Sequence, residues 1–333
     1  MPDFATTVTR HLDAVTRRRR GLPAPQVLVW SPSRGIDYSY GDRTLPFHGA
    51  SIGKAATTAL VMQLVDAGRL SLDTPVTTIL GPQPGLFRGE PTVGQLLDHT
   101  SGAADHYEDR VTTGPRFQEL VVRDRDHFWT PEEMIAFTRD RQVPVAAPGE
   151  TFHYSNTGYL LAGRVLEEIV GEPFHQILRT RLFEPYGMTD AWLMHREPGR
   201  EIAPLWLGRD ELSTARSVSL DWSGGGIAFT LDDLARLSVG LRTAPGVEVM
   251  STMRNTFRPG IRYGTGFMEV RFDELWFLLR GMPRPTGHIG SLSTHMFYDA
   301  THDTHIAMNF HSTREMVRSF KTLIVIEQQL ARM

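Results

Sequence analysis

Phe47-His48-Gly49-Ala50-Ser51-Ile52-Gly53-Lys54-Ala55-Ala56-Thr57 carries two overlapping patterns, each of which makes Ser51 a nucleophile. Gly49 to Gly53 fits G-x-S-x-G, a strand-turn-helix elbow that lifts a serine to the top of a doubly wound sheet. Ser51 to Lys54 fits S-x-x-K, in which a lysine one helical turn away activates the serine. The two patterns demand different folds, so the surrounding chain decides between them. An elbow follows several strand-helix units of about 30 residues or more each, whereas the 50 residues before Ser51 encode one helix and one hairpin. The elbow also needs a strand running straight into the serine, and Leu45-Pro46-Phe47-His48 is a weak one. S-x-x-K is therefore the operative reading, and the two glycines are expected to keep the backbone close to a substrate.

The chemistry of S-x-x-K follows from helix geometry. Residues three apart share a face, so the Lys54 amine can reach the Ser51 hydroxyl. Downstream, Ala55 to Leu70 is apolar nearly all round, with Gly68 placed to end a buried helix. Burial beside that helix and the positive end of its dipole both favour a neutral amine able to take the serine proton, while the Ser51 N–H can help hold an oxyanion. Of the 35 basic residues only Lys54 and Lys321 are lysines. Arginine keeps its proton at working pH and a buried lysine need not, so a lysine inside S-x-x-K is expected to be selected rather than drawn at random; Lys321 reads as a surface residue of the last helix.

Working outward, Phe4, Val8, Leu12 and Val15 predict an amphipathic first helix whose end, Arg17 to Arg20, is expected to be solvated. "QVLVWS" and "GIDYSYG", separated by "PSRG", predict a hairpin. From about 75 to 222 helices and long loops dominate, including a helix capped by Thr130 with Pro131 at its first position. Thr230-Leu231-Asp232-Asp233 is a capping box that starts another helix. Strand-like runs return as "TGFMEVRF", "ELWFLLRG", "GHIGSLSTHMFYDA" and "DTHIAMNFH", and "REMVRSFKTLIVIEQQLARM" closes the chain as a helix. The expected fold is α/β of the α+β kind: a mostly antiparallel sheet flanked by N- and C-terminal helices and interrupted by a mostly helical insertion. The expected division is a sheet domain, 1–75 plus 223–333, and a helical subdomain, 76–222, with the active site between them.

Two later stretches keep company with Ser51 and Lys54: Tyr154-Ser155-Asn156 in "GETFHYSNTGYL", and His288-Ile289-Gly290 at the start of a late strand. The ordered set S-x-x-K, Y-x-N, H-x-G resembles the penicillin-recognising serine enzymes, which comprise class C β-lactamases, D-alanyl-D-alanine carboxypeptidases, D-aminopeptidases and related esterases and transacylases. "LLDHTSG" (96–102), "PGETFHYSNTGYLLAGRVLEEIVGEPF" (148–174), "GGGIAFTLDDLARL" (224–237) and "YGTGF" (263–267) extend the resemblance over most of the chain. By that resemblance Ser51 is acylated, Lys54 assists its deprotonation, and Tyr154 shuttles protons as partner base and leaving-group acid. A tyrosine serves as base near neutrality only if a nearby cation lowers it from about 10, so Lys54 and Tyr154 are expected to share protons. Asn156 orients the lysine and the substrate amide, and it is also a candidate helix N-cap. His288 stands where many relatives carry lysine, offering a hydrogen bond and only conditional charge. Gly290 lets substrate lie along the strand edge, and Ser291 supplies the second oxyanion N–H. Where the family often has further glycines, this chain has "SLSTHM".

A net charge of −3 provides no field to gather nucleic acid or an anionic membrane. No apolar window reaches the roughly 20 residues of a membrane span, and the N-terminus lacks a secretory core, so the expected location is cytoplasmic. With no cysteine, thiol catalysis is excluded. His295, His302, His305 and His311 crowd the last two strands and "HDTH" suggests zinc, but the spacing matches no metal motif; solvated or core histidines are expected, with no cofactor and no metal. The expected activity is that of a serine hydrolase, an esterase or amidase acting on a small-molecule acyl substrate, with acyl transfer as a close variant. A β-lactamase, a D-Ala-D-Ala carboxypeptidase or D-aminopeptidase, and a non-catalytic binding protein are the alternatives.

Overall fold

The hairpin of Gln26 to Tyr40 forms as its alternation dictates and seeds the main sheet. Strand β1 (Gln26–Ser31) pairs antiparallel with β2 (Ile36–Tyr40), Val29 opposite Tyr38, across a short 3-10 turn closed by Gly35 at φ 64°. The computed structural model describes residues 3–19 and 21–333. Six further strands complete the sheet: β3 (Asn255–Arg258), β4 (Ile261–Tyr263), β5 (Met268–Val270), β6 (Thr286–Gly290), β7 (Thr294–Asp299) and β8 (Thr304–Asn309). The order is β2-β1-β8-β7-β6-β5-β4-β3, every pair antiparallel.

Alternation along these strands sorts their side chains onto two cores. Val27, Val29, Phe297, Ile306 and Met308 face one way, onto Val8 and Leu12 of helix α1 (Phe4–Arg17) and Leu323 and Ile326 of the closing helix (Met316–Leu330). Leu28, Met296 and Ala307 face the other way, into a core that includes helix α2 (Gly53–Asp66). That second core continues into helices α3 (Pro131–Arg141), α4 (Asn156–Val170) and α5 (Leu231–Arg242); the closing helix is α6. Caps form where the sequence places them: Thr130 and Thr230 each complete a capping box, and Gly68, at φ 67°, follows the end of α2. Among the described residues no helix is long and apolar enough to cross a membrane.

Three expectations are corrected. "ELWFLLRG" is not a strand: β5 and β6 close against each other, with the Val270 N–H donating to Pro285, so the residues between leave the sheet as short helical turns. Trp276, Phe277 and Leu278 are left 55%, 62% and 61% exposed. "GHIGSLSTHMFYDA" divides into β6 and β7 at Ser291 to Ser293, where Ser293 takes φ 60°. The arginine run is not solvated throughout. Arg19 is buried, with Nε 3.0 Å from Glu315 Oε2, and it links the end of α1 to the start of α6; Arg20 lies outside the described residues.

Candidate active site

Ser51 is presented by a strained approach to a buried helix. The two-residue strand Phe47–His48 pairs with Ile227–Phe229, Ala50 adopts a left-handed φ of 48°, and a 3-10 turn over Ala50–Ile52 runs into α2. The helix lies so close to the chain at Gly225 that a Cβ on Gly53 would come within 2.8 Å of the Gly225 Cα. Gly53 therefore serves this backbone-to-backbone packing rather than an approach to substrate, which corrects the expectation from the overlapping glycine pattern. Next to it in the first turn of α2, Lys54 is fully buried. Its Nζ donates to Ser51 Oγ at 3.3 Å, Asn156 Oδ1 at 2.6 Å and the Gly224 carbonyl at 3.0 Å, using all three ammonium protons. Burial lowers its pKa from 10.5 to about 8, against the opposing pull of Asp221 and Asp105.

Tyr154 arrives from the loop before α4, and Asn156 is the first residue of that helix. Ser155, not Asn156, is the N-cap: its hydroxyl accepts from the Gly158 N–H. Asn156, freed from capping, orients Lys54 through Oδ1 while its Nδ2 donates to both oxygens of the buried Asp105, at 3.1 and 3.2 Å. Asp105 also accepts from the backbone N–H groups of Asn156 and Tyr107, which fixes the relay Asp105-Asn156-Lys54-Ser51. The Tyr154 ring lies 5.1 Å from Lys54 Nζ and stacks on His99 with centroids 4.2 Å apart. Burial dominates its titration. The phenol is pushed well above 10 despite a hydrogen bond with Ser51, so the cation beside it does not lower it as expected.

These groups open onto a cavity of 540 Å³ whose walls include Ser51, Tyr154, Asn156, Gly290 and Ser291. Four carboxylates line it, Asp105, Glu108, Asp109 and Asp221, with Arg258 as its arginine; His153 Nε2 is 2.7 Å from Asp109, which raises the imidazole pKa. A shallower groove of 730 Å³ shares Tyr107, Glu108, Leu207 and Ser291 with this cavity. Gly290 sits where a Cβ would fall 2.7 Å from the Gly49 carbonyl, and Thr294 donates to the same oxygen at 3.0 Å, so β6 and β7 press onto the Ser51 turn.

His288 is placed differently from Gly290 and Ser291. It is buried and absent from the cavity wall, with Nδ1 2.8 Å from the Ile289 carbonyl oxygen. Burial, helped by Lys54, holds its pKa at about 3. Its charge is therefore not conditional near neutrality but absent.

Asp105, Asp221, the Gly224 carbonyl and His99 escape the sequence reading, although "LLDHTSG" and "GGGIAFT" mark two of the segments that carry them. His99 is held at φ 62° with Nδ1 accepting from the Ser155 N–H, and so positions the Tyr154 loop. The four late histidines do not converge. His295 pairs with Met308 and meets Ser319 of α6 at 2.7 Å, whereas His305 projects from the opposite sheet face to Ser238 of α5 at 2.8 Å. His311 lies 3.0 Å from the Ala24 carbonyl, and His302 lies against Asp299.

The family pattern described as Beta-lactamase matches residues 33–330. The chain is 34% identical over 183 residues to penicillin-binding protein 4 of Amycolatopsis lactamdurans, covering 53% of this chain and 43% of that one. It is 32% identical over 209 residues to esterase EstB of Burkholderia gladioli, covering 61% and 50%. The chain thus spans about half the length of these curated relatives. In fold it superposes on D-amino acid amidase from Ochrobactrum anthropi SV3 with a TM-score of 0.82 at 21% identity, covering 99% of each chain. With the family pattern running through the Ser51 turn, the Tyr154 loop and the β6 edge that meet at one cavity, this chain belongs to the beta-lactamase family.

Proposed function

We propose that this chain is a serine hydrolase that acts on a small ester or amide through a covalent acyl-enzyme, with transfer to an amine or alcohol when that acceptor replaces water. The observation that carries this is Ser51 Oγ at 3.3 Å from a buried Lys54 of pKa about 8, facing a cavity. In about one molecule in ten at pH 7 that amine is neutral and able to take the Ser51 proton. Ser51 Oγ then bonds to the acyl carbon, and the backbone N–H groups of Ser51 and Ser291 hold the oxyanion. Tyr154, kept protonated by burial, is suited to donate to the leaving group and be restored from Lys54. Water or another acceptor attacks the acyl-enzyme by the reverse path.

The reading places the site between a sheet domain, 1–75 plus 223–333, and a helical subdomain, 76–222. Support comes from the origin of the groups: Ser51, Lys54 and Ser291 from one stretch, Asp105, Tyr154 and Asn156 from the other.

Substrate charge follows from the walls. Four carboxylates against Arg258 and the mostly protonated Lys54 disfavour an anionic acyl donor, and His288 adds no positive charge. Asp221, with its side chain 32% exposed, is available to a substrate ammonium, which favours esters and amides of amino acids over penicillins. Intact-protein mass after brief exposure to a p-nitrophenyl ester, and separately to a penicillin, tests the proposal on wild type and Ser51→Ala. An ester adduct on wild type alone is expected. Turnover of a cephalosporin or a D-Ala-D-Ala peptide well above any ester would overturn the substrate assignment, and no adduct on folded protein would overturn the acyl-enzyme.

A further inference from the structure

We propose that Asp299, His302 and Glu327 bind a divalent metal ion, zinc by preference, that fastens α6 to the end of the sheet remote from Ser51. The three come from different elements: Asp299 ends β7, His302 lies in the turn to β8, and Glu327 projects from α6. One donor atom of each lies within 4.8 Å of the other two. The Asp299 side chain is 1% exposed and that of Glu327 0%, and no arginine or lysine among the described residues pairs with either. Asp299 Oδ1 accepts from the Thr301 N–H at 2.8 Å, and Oδ2 faces His302 Nδ1. Glu327 has no such partner: neither carboxylate oxygen meets a hydrogen-bond donor among the described residues, though both are buried, and Oε2 faces His302 Nδ1 at 4.0 Å.

Two carboxylates facing each other away from water cannot both stay charged without a cation. A proton on Glu327, whose pKa burial and Asp299 hold well above the usual carboxylate range, is one answer. It satisfies one oxygen. A divalent ion neutralises both carboxylates, engages the imidazole, and leaves one position for water. Two oxygens and an imidazole nitrogen suit zinc, which outranks manganese and iron in affinity for such ligands. A tetrahedral ion with ligand distances of about 2.0–2.2 Å sets its donors about 3.4 Å apart, so Asp299 Oδ2 and His302 Nδ1, now in direct contact, need to part to admit it, while Glu327 Oε2, 4.0 Å from His302 Nδ1, needs to close by only about half an ångström. His302, 15% exposed, leaves a route for the ion from solvent. Thr294, bonded to Gly49 beside the serine, lies five residues up β7, about 17 Å away at 3.3 Å per residue, so the ion acts on stability and not on acyl transfer.

The test is metal content after gel filtration with zinc, together with cobalt substitution and thermal unfolding, on wild type and Glu327→Gln. Wild type should retain one zinc per chain and show a visible cobalt band. At a hundredfold excess over Kd its Tm should rise by about 4 °C. Glu327→Gln should lose all three responses while keeping its ester turnover. If wild type retains no zinc and its Tm does not respond, or if Glu327→Gln responds equally, the proposal is wrong; a Glu327→Gln protein as stable as metal-free wild type would then identify a proton as the occupant. Should Glu327→Gln fail to fold, His302→Asn, at a part-exposed position, must lose the zinc and cobalt responses or the proposal falls.

Discussion

Because Lys54 is buried and held at about 8 while Tyr154 is held well above 10, the rate of acylation should follow the neutral lysine alone. The perturbation is pH. With a single group of pKa 8, the neutral fraction is about 1% at pH 6, about 9% at pH 7, about 50% at pH 8 and about 91% at pH 9. Acylation should therefore rise about 50-fold from pH 6 to pH 8 and less than about twofold from pH 8 to pH 9. The assay is the stopped-flow burst from an excess of enzyme over p-nitrophenyl ester, read where nitrophenol and nitrophenolate absorb equally, so that only bond cleavage is followed. Ser51→Ala supplies the blank for spontaneous hydrolysis. The midpoint belongs to the Lys54–Tyr154 pair as a unit, but the two candidate bases give different curves. A tyrosinate base predicts a tenfold rise per pH unit continuing beyond pH 9, and a lysine that acts only as a cation predicts a rate that falls about tenfold from pH 7 to pH 9 as the ammonium loses its proton. Either curve would refute the assignment of Lys54 as the proton acceptor.

Other outcomes follow from the same geometry. Lys54→Arg should fold but lose acylation by about 10³-fold or more, since arginine keeps its proton; burst amplitude and circular dichroism check this together. Lys54→Met should unfold at higher denaturant at pH 7, because a charged lysine with its pKa lowered from 10.5 to about 8 costs about 3 kcal/mol, less the hydrogen bonds lost with it. The folded chain binds fewer protons than the unfolded one between about pH 8 and 10.5, so the penalty is full below 8 and the gain from Met should vanish toward 10.5 in chemical unfolding curves. Asp221→Asn should lower kcat/KM for an amino acid p-nitroanilide by about tenfold, or about 1.4 kcal/mol, relative to a neutral ester, with the difference shrinking in high salt. Gly53→Ala, whose Cβ meets backbone at 2.8 Å, should cost about 1–3 kcal/mol in denaturant unfolding and slow acylation through displacement of Ser51.

What could be read from sequence was whatever local spacing encodes. Three-residue spacing puts Lys54 against Ser51, the capping boxes at Thr130 and Thr230 form where they are written, and the β1–β2 hairpin obeys its period. The misreadings arise where a distant partner decides. "ELWFLLRG" has strand composition, but β5 and β6 pair with each other at Val270 and Pro285 and exclude it. Arg19 looks like the third member of a solvated run until Glu315, nearly 300 residues away, draws it inside. Asn156 could have capped its helix; Ser155 does so instead, and only the tertiary neighbour Asp105 reveals what Asn156 is for.

The same distinction explains why the lysine was legible and its environment was not. Lys321 apart, arginine serves elsewhere in this chain wherever a cation has only to stay charged, as at Arg19, while Lys54 sits where burial makes deprotonation accessible near neutrality. On the proposed mechanism, residue type thus marks where a proton is to be moved. The position of the titration is set by opposing influences from separate segments: burial within the α2 core lowers it, and Asp221 and Asp105 draw it back up. Removing either carboxylate should therefore move the acylation midpoint to lower pH, whereas opening the site to water should move it up. On the proposed mechanism such a site uses its acidic walls twice, to keep the lysine from becoming too weak a base and to select the charge of the substrate it acylates.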